Sequence, residues 1–250
     1  MPLIMHLYSD VLSSRTRMKR LNALAETDLQ RSTEPFAAAA WMIGSEYPHA
    51  PMDLAWKTLL KCHAHDSIAG SGVDDIEHDM VYRLRQVLNL SSAIKRRSLQ
   101  TIQRAIDNAG ASQEDVLVTV FNPSPRKRTE VITMVIDVPR SKNLRAFQLR
   151  NLKDKKVCST QFVSRQPCLS VVAHAKDAKA MMEAERFTIH VDANDIPSLG
   201  YSTFVVEPAD AFANGGLVTS RHTMENEWLR VEVKADGTFN LTHKPTGNTY

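Results

Sequence analysis

Apolar positions recur at two different intervals along this chain, and the change falls near Gly110. Before it the spacing is three to four residues, the period of a helix face. After it hydrophobic and polar residues alternate, the period of a half-buried strand. In the first part Met18, Leu21, Leu24, Ala25 and Leu29 form one stripe behind Ser13 and Ser14, residue types that favour a helix N-cap. Pro35 either kinks this helix or occupies the first turn of a second one. The run from Ala37 to Ile43 is small and apolar, which allows close helix packing, and Ser45 to Pro51 reads as a loop. A short helix is predicted over residues 53–63, with Leu54, Leu59 and Leu60 facing inward. The chain then breaks at Ala69-Gly70-Ser71-Gly72. Asp74 or Asp75 caps a long helix carrying Ile76, Met80, Leu84, Val87, Ile94, Ile102 and Ile106, and Gly110 is its expected stop. Residues 1–110 are thus predicted to form an antiparallel helical bundle.

Beyond Gly110 the strand period takes over. Leu117 to Phe121 is a short strand, and Asn122-Pro123-Ser124-Pro125 a turn. Ile132, Met134, Ile136 and Val138 alternate, as do Phe187, Ile189 and Val191, and Gly200 to Val206 is a further strand. Leu229, Val231 and Val233 run through Ala235-Asp236-Gly237 to Phe239 and Leu241, a hairpin pattern. The fold class that follows is α + β in separate domains: a helical bundle, then antiparallel β-sandwich structure. The expected boundaries are 1–110 for the bundle, 111–220 for a small β-domain and 221–250 for the start of a larger sandwich. Tyr250 follows directly on the Thr246-Gly247 turn, and a sheet begun there needs more strands.

Composition narrows the function classes. A formal charge of +3 over 250 residues gives no strongly basic domain or face, which argues against a dedicated nucleic-acid binder. A helix-based binder using Lys95 to Arg104 is disfavoured on the same ground. The three cysteines, Cys62, Cys158 and Cys168, fit no zinc ribbon or disulfide framework, so reduced thiols and a cytoplasmic location are expected. MPLIMHLYSD lacks the basic and apolar regions of a signal peptide, and no apolar run approaches membrane-spanning length. The N-x-[ST] matches at Asn89 and Asn240 are of a kind common by chance. The basic clusters Arg15-Thr16-Arg17-Met18-Lys19-Arg20 and Lys95-Arg96-Arg97 read as solvated helix faces rather than phosphate sites. Trp41, Trp56 and Trp228 could stack on a sugar, but Trp41 and Trp56 sit in apolar stretches and read as core. Cys62 reads as a small buried hydrophobe.

The chemistry-bearing stretch is Cys62-His63-Ala64-His65-Asp66-Ser67-Ile68-Ala69-Gly70-Ser71-Gly72-Val73-Asp74, between the end of one helix and the start of the next. Imidazole is a good zinc ligand and carboxylate a hard anionic partner. An adjacent His-Asp pair can divide the work, one side chain taking a metal and the other substrate hydroxyls. Gly70 and Gly72 let the backbone turn sharply and a ligand approach closely. The plain alternative is a histidine placed favourably at a helix C-terminus. Structural zinc takes four ligands and only two plausible ones are local, so on spacing alone both readings stand. Gly70-Ser71-Gly72 lacks the Lys-Ser/Thr of a Walker motif and is not G-x-S-x-G.

His63-Ala64-His65-Asp66-Ser67-Ile68 with Gly70, followed by Asp74 and Met80, resembles the bacterial branch of glycoside hydrolase family 38, the α-mannosidases. Leu12-Ser13-Ser14-Arg15 with Lys19, Asn22 and Glu34-Pro35 looks like that family's entry to its helical middle domain. Phe121-Asn122-Pro123 looks like the start of its first β-domain. Glu225-Asn226-Glu227 through Asp236-Gly237 and Lys244 to Gly247 looks like the opening of its large β-sandwich. The resemblance runs over essentially the whole chain, and it implies a retaining glycosidase with one zinc ion that grips mannose hydroxyls. By match, His65 is a zinc ligand and Asp66 contacts the bound sugar. It further implies a mannoside substrate, with the bacterial form pointing to small mannosides such as mannosylglycerate or its phosphate. No nucleic-acid or membrane partner is implied, and self-association into a homo-oligomer is left open.

The chain departs from the family pattern at Glu77, where the family has a histidine and His78 comes one place late, and at Ala69-Gly70-Ser71, which replace Gly-Gly-Cys-like residues. The family's catalytic barrel, with its H-x-[DH] motif, nucleophile and acid, has no counterpart before Leu12. The catalytic carboxylates are therefore expected outside this chain, and the chain alone is expected to be inactive and to bind zinc weakly. A second reading, from another class, is a non-catalytic helical-plus-β binding or scaffold protein descended from the same family.

Overall fold

The computed structural model describes residues 9–173, 179–213 and 216–250. Most of the N-terminal stretch weighed above as a signal peptide, residues 1–8, lies outside the described residues. The chain divides into a helical unit, up to Asn108 and with Pro123–Pro125, and a β unit of Ala109–Asn122 and Arg126–Tyr250. No helix among the described residues is long and apolar enough to cross a membrane.

In the helical unit, α1 (Thr16–Asp28) passes through a π-helical turn (Leu29–Thr33) into α2 (Glu34–Met42). Pro35 has no N–H to give the preceding turn, and a widened turn at this point relieves the clash its ring would make. Both sequence alternatives for Pro35 are therefore partly met: it sits in the first turn of α2, on a helix that never fully stops. Next come α3 (His49–Cys62), the five-residue α4 (His65–Ala69) and the 31-residue α5 (Asp74–Arg104). The long helix α5 is the post against which α1, α2 and α3 pack. Met80, Leu84, Val87 and Ile94 line its inner face and meet Met18, Ala25, Leu29, Ala37, Met52, Ala55, Leu59 and Cys62.

Several local expectations change. Ser13 and Ser14 do not cap α1; its N-cap is Arg15, in a left-handed conformation at φ 47°. Val73, not Asp74 or Asp75, precedes α5, and those aspartates fall in its first turn, where the helix dipole favours them. The helix α5 ends at Arg104, short of Gly110, which turns the chain afterwards at φ +92°. On α3, Leu59 is buried, but Leu54 and Leu60 are exposed, because the inward stripe is Met52, Ala55, Leu59 and Cys62. Trp41 is 59% exposed, edge-on to Tyr47.

The β unit is antiparallel throughout. Strands β1 (Leu117–Asn122), β3 (Ala146–Asn151), β4 (Val157–Cys158) and β7 (Gly200–Ala209) make one sheet in the order β1-β7-β3-β4. Strands β2 (Arg128–Pro139), β5 (Thr160–Ala173) and β6 (Lys179–Ile196) make a second, β2-β6-β5. Met134, Ile136, Val138, Phe187, Ile189 and Val191 from the second sheet bury against Phe147, Leu149, Phe204 and Val206 from the first. That is the packing of a β-sandwich. The alternation read in 132–138 and 187–191 lies on this inner face.

A third sheet holds β8 (Val218–Ser220), β9 (Thr223–Glu225), β10 (Leu229–Val233), β11 (Phe239–His243) and β12 (Asn248–Thr249), in the order β12-β11-β10-β9-β8. Its β10–β11 hairpin turns at Gly237, as the sequence predicts.

Candidate functional site

The HAHD stretch is not a simple helix-to-helix joint. The helix α3 ends at Cys62 and His63 caps it with its amide on Leu60 O; Ala64 is extended (ψ 132°), and His65 opens α4. His63 and His65 therefore belong to different helices and face different ways. The ring of His63 turns inward and lies 2.9 Å from Asn22 Oδ1, an atom that can only accept, so Nε2 carries the hydrogen. Asn22 is buried, which makes this bond structural. The side chain of His65 is 92% exposed and that of Asp66 is 77% exposed, with Nδ1 and Oδ2 3.5 Å apart. The dipole argument that favours histidine at a helix C-terminus therefore does not apply to His65, the first residue of α4, whereas His63, the C-cap of α3, does stand at such an end.

Gly70 ends α4 at φ +82°, its amide donating to Asp66 O and Ser67 O, while Ser71 donates its amide to Asp66 O. This is the glycine-capped helix end that a residue with a Cβ adopts only with strain. The turn expected at Gly70 is present. Gly72 has a different constraint: a Cβ there would meet Ile76 at 3.3 Å.

What holds this tip comes from the start of α1. Ser14 Oγ donates to Ala69 O at 2.7 Å, and Lys19 Nζ donates to Ala69 O at 3.0 Å and to Ser14 O at 2.8 Å. Arg15 Nε donates to Gly70 O at 3.1 Å and Nη2 to Gly72 O at 2.7 Å. The same guanidinium pairs with Glu77 and, at 3.1 Å, with Asp74. Glu77, above all through its hydrogen bond, raises the Arg15 pKa further above its ordinary value, against partial desolvation. Arg15 and Lys19 are thus not a solvated face, as their spacing alone implies. The departure at Glu77 also gains a role, since it supplies Arg15's carboxylate partner. Lys95, likewise expected in solvent, pairs with Asp28.

Sequence reasoning missed this clamp because its two halves lie 50 to 62 residues apart and share no local pattern. Among the described residues no three His, Cys, Asp or Glu side chains converge as a metal site would require. Zinc, which the family resemblance implies, fits this tip only in part. His65 offers one imidazole and Asp66 one carboxylate, while His63 is engaged with Asn22. A cleft of about 500 Å³ in the helical unit is lined by Ala40, Tyr47, His49, Leu90 and Arg97 among others, and by no residue of the 62–77 stretch.

Comparison with protein families bears on this segment directly. Residues 6–102 match the alpha mannosidase middle domain. The matched span holds α1 to α5 almost entirely, the His65–Asp66 tip and its clamp. Among solved structures, the chain resembles an alpha-mannosidase from Enterococcus faecalis V583 at TM-score 0.80 and 23% identity, over 97% of this chain and 29% of that one. A protein in the glycosyl hydrolase family 38 from Enterococcus faecalis gives TM-score 0.78 and 23% identity, over 98% of this chain and 31% of that one. At this identity the likeness establishes the fold, and this chain spans about 30% of the length of either protein. A comparison with curated proteins gives no match. The middle-domain match and the shared fold together support a relation to the family 38 α-mannosidases.

Proposed function

We propose that this chain is the middle and first β portion of a zinc-dependent, retaining α-mannosidase, and that the His65–Asp66 tip is its contribution to the active site. The observation that carries the reading is the tip itself. Inside a segment matching the α-mannosidase middle domain, the two side chains stand exposed at the start of α4, on a loop held by long-range hydrogen bonds. A surface histidine with no structural task does not call for such support.

In this reading His65 supplies one imidazole to a zinc ion whose other ligands come from a barrel outside this chain. When bound, zinc orients mannose hydroxyls and polarises them as a Lewis acid. Asp66, acceptor-only when ionised, takes a hydrogen bond from a sugar hydroxyl. The nucleophile and the acid that a retaining glycosidase needs also lie in that barrel. The 250-residue chain alone does not cleave mannosides; the whole enzyme works in the cytoplasm on small mannosides such as mannosylglycerate or its phosphate.

Calorimetric titration of the 250-residue chain with Zn²⁺ tests the ligand count. One imidazole and a neighbouring carboxylate compete poorly with water, so the expected result is no site tighter than an exposed histidine gives. A stoichiometric, submicromolar site would mean that the ligand set is local and the assignment wrong.

A further inference from the structure

A five-residue helix does not hold its own shape in water, because nucleating a turn costs more than its few hydrogen bonds return. The helix α4 has no side-chain N-cap either, since Ala64 precedes it. Its geometry must therefore come from elsewhere. At its C-terminal end, where carbonyls lack intrahelical partners, Ala69 O takes donors from Ser14 and Lys19, and Gly70 O and Gly72 O take donors from Arg15.

Arg15 does the larger share. Its side chain is only 19% exposed, and its guanidinium ties three elements together: the start of α1, the 70–72 loop, and α5 through Asp74 and Glu77. Its backbone is held at φ 47°, a left-handed conformation that strains a non-glycine residue, and its flanking bonds must offset that. The packing is close as well. A Cβ at Gly70 would meet Ser14 Oγ at 2.9 Å and Arg15 Cδ at 3.2 Å.

We propose that Arg15 is the positioning residue of the His65–Asp66 tip: it fixes the loop that presents the two side chains, and it does so through the planar fork of its guanidinium. The inference rests on the reading of that tip as an active-site element. Lysine cannot replace it fully, since one ammonium cannot span two carbonyls and two carboxylates at these separations. Arg15 is not among the buried residues that form the core of the helical unit.

Amide hydrogen exchange on the 250-residue chain tests the positioning claim whether or not the tip serves a mannosidase. In Arg15→Gln the Gly70 and Ser71 amides, both bonded to Asp66 O, exchange at least tenfold faster, while core amides at Leu84 and Val87 change less than threefold. Arg15→Lys falls between, and Lys95→Gln, which removes the ion pair with Asp28, leaves the tip unmoved. Unchanged Gly70 and Ser71 amides, or core and tip amides accelerating together, would overturn the proposal.

A second arm uses a full-length enzyme carrying this segment. With its thermal midpoint unchanged, Arg15→Gln lowers kcat/KM for a nitrophenyl mannoside at least tenfold, and Arg15→Lys restores part of it. Wild-type activity there in both variants overturns the proposal. A wild-type enzyme with neither zinc nor mannosidase activity would instead sink the mannosidase reading, leaving the exchange data to judge Arg15.

Discussion

His63 and His65 stand two residues apart and differ in every physical respect that matters. One ring is turned inward onto a buried carboxamide, and the other is open to solvent beside a carboxylate. Removing the first leaves Asn22 Oδ1 buried without its donor, which costs about 1–3 kcal/mol. Removing the second deletes an exposed side chain, an event within about 0.5 kcal/mol. Urea denaturation of the 250-residue chain should therefore show His63→Ala destabilised and His65→Ala close to wild type; equal losses would mean that His65 is structural. The motif and its residue types were legible in the sequence, but the direction of each ring was not, because the break between α3 and α4 sets it. Trp41 makes the same point from the other side. An apolar neighbourhood in sequence reads as core, yet helix phase puts the indole in solvent. The cysteine reading needs no such change: Cys62 and Cys158 are buried, and burial raises both thiols, Cys158 to about 11.

At the scale of elements, strands were more legible than helix ends. Period-two alternation in β2 and β6 reports directly which residues bury, because a strand has only two faces. Helix starts depend on caps, and both α1 and α5 begin without a side-chain cap. The outer face of the β2–β6 pair carries a feature that alternation cannot show. Arg186 on β6 forms a two-bond fork with Asp137 on β2, both bonds 2.7 Å. The hydrogen bond from Arg186 holds the Asp137 carboxyl down at about 2, below the ordinary 3.8, with Ser170 and Cys168 adding to it against some desolvation.

A carboxyl whose folded pKa lies below its unfolded one stabilises the fold above the unfolded value, and that contribution fades as pH falls through the folded value. The lowered Asp137 carboxyl should thus contribute about 1–2 kcal/mol at pH 7, discounted for solvent screening, and the contribution is lost between about pH 4 and pH 2. Asp137→Asn is expected to lower the β unit's stability at neutral pH and to match wild type near pH 2. A gap between the two proteins that persisted at pH 2 would show that the fork is not the source.

The whole molecule places two kinds of structure in succession, helices and then antiparallel strands, as the switch of period along the chain predicts. The two-sheet sandwich follows from alternation plus turn residues. Strands β3, β4 and β5 escaped notice, since Gln148, Arg150 and the polar run in 160–170 blur the pattern. The clamp from Ser14, Arg15 and Lys19 to the His65–Asp66 tip escaped for a different reason: tertiary contacts across 50 to 62 residues leave no periodic trace. The chain spans about 30% of the two Enterococcus faecalis proteins whose fold it shares, and under the proposed function it holds a share of an active site rather than a whole one.

Metal analysis of two variants in a full-length enzyme carrying this segment tests that assignment most directly. His65→Ala is expected to lose zinc and turnover together, while Asp66→Asn loses turnover and keeps its zinc. Zinc retained in His65→Ala but lost in Asp66→Asn, or full activity in both, would contradict it.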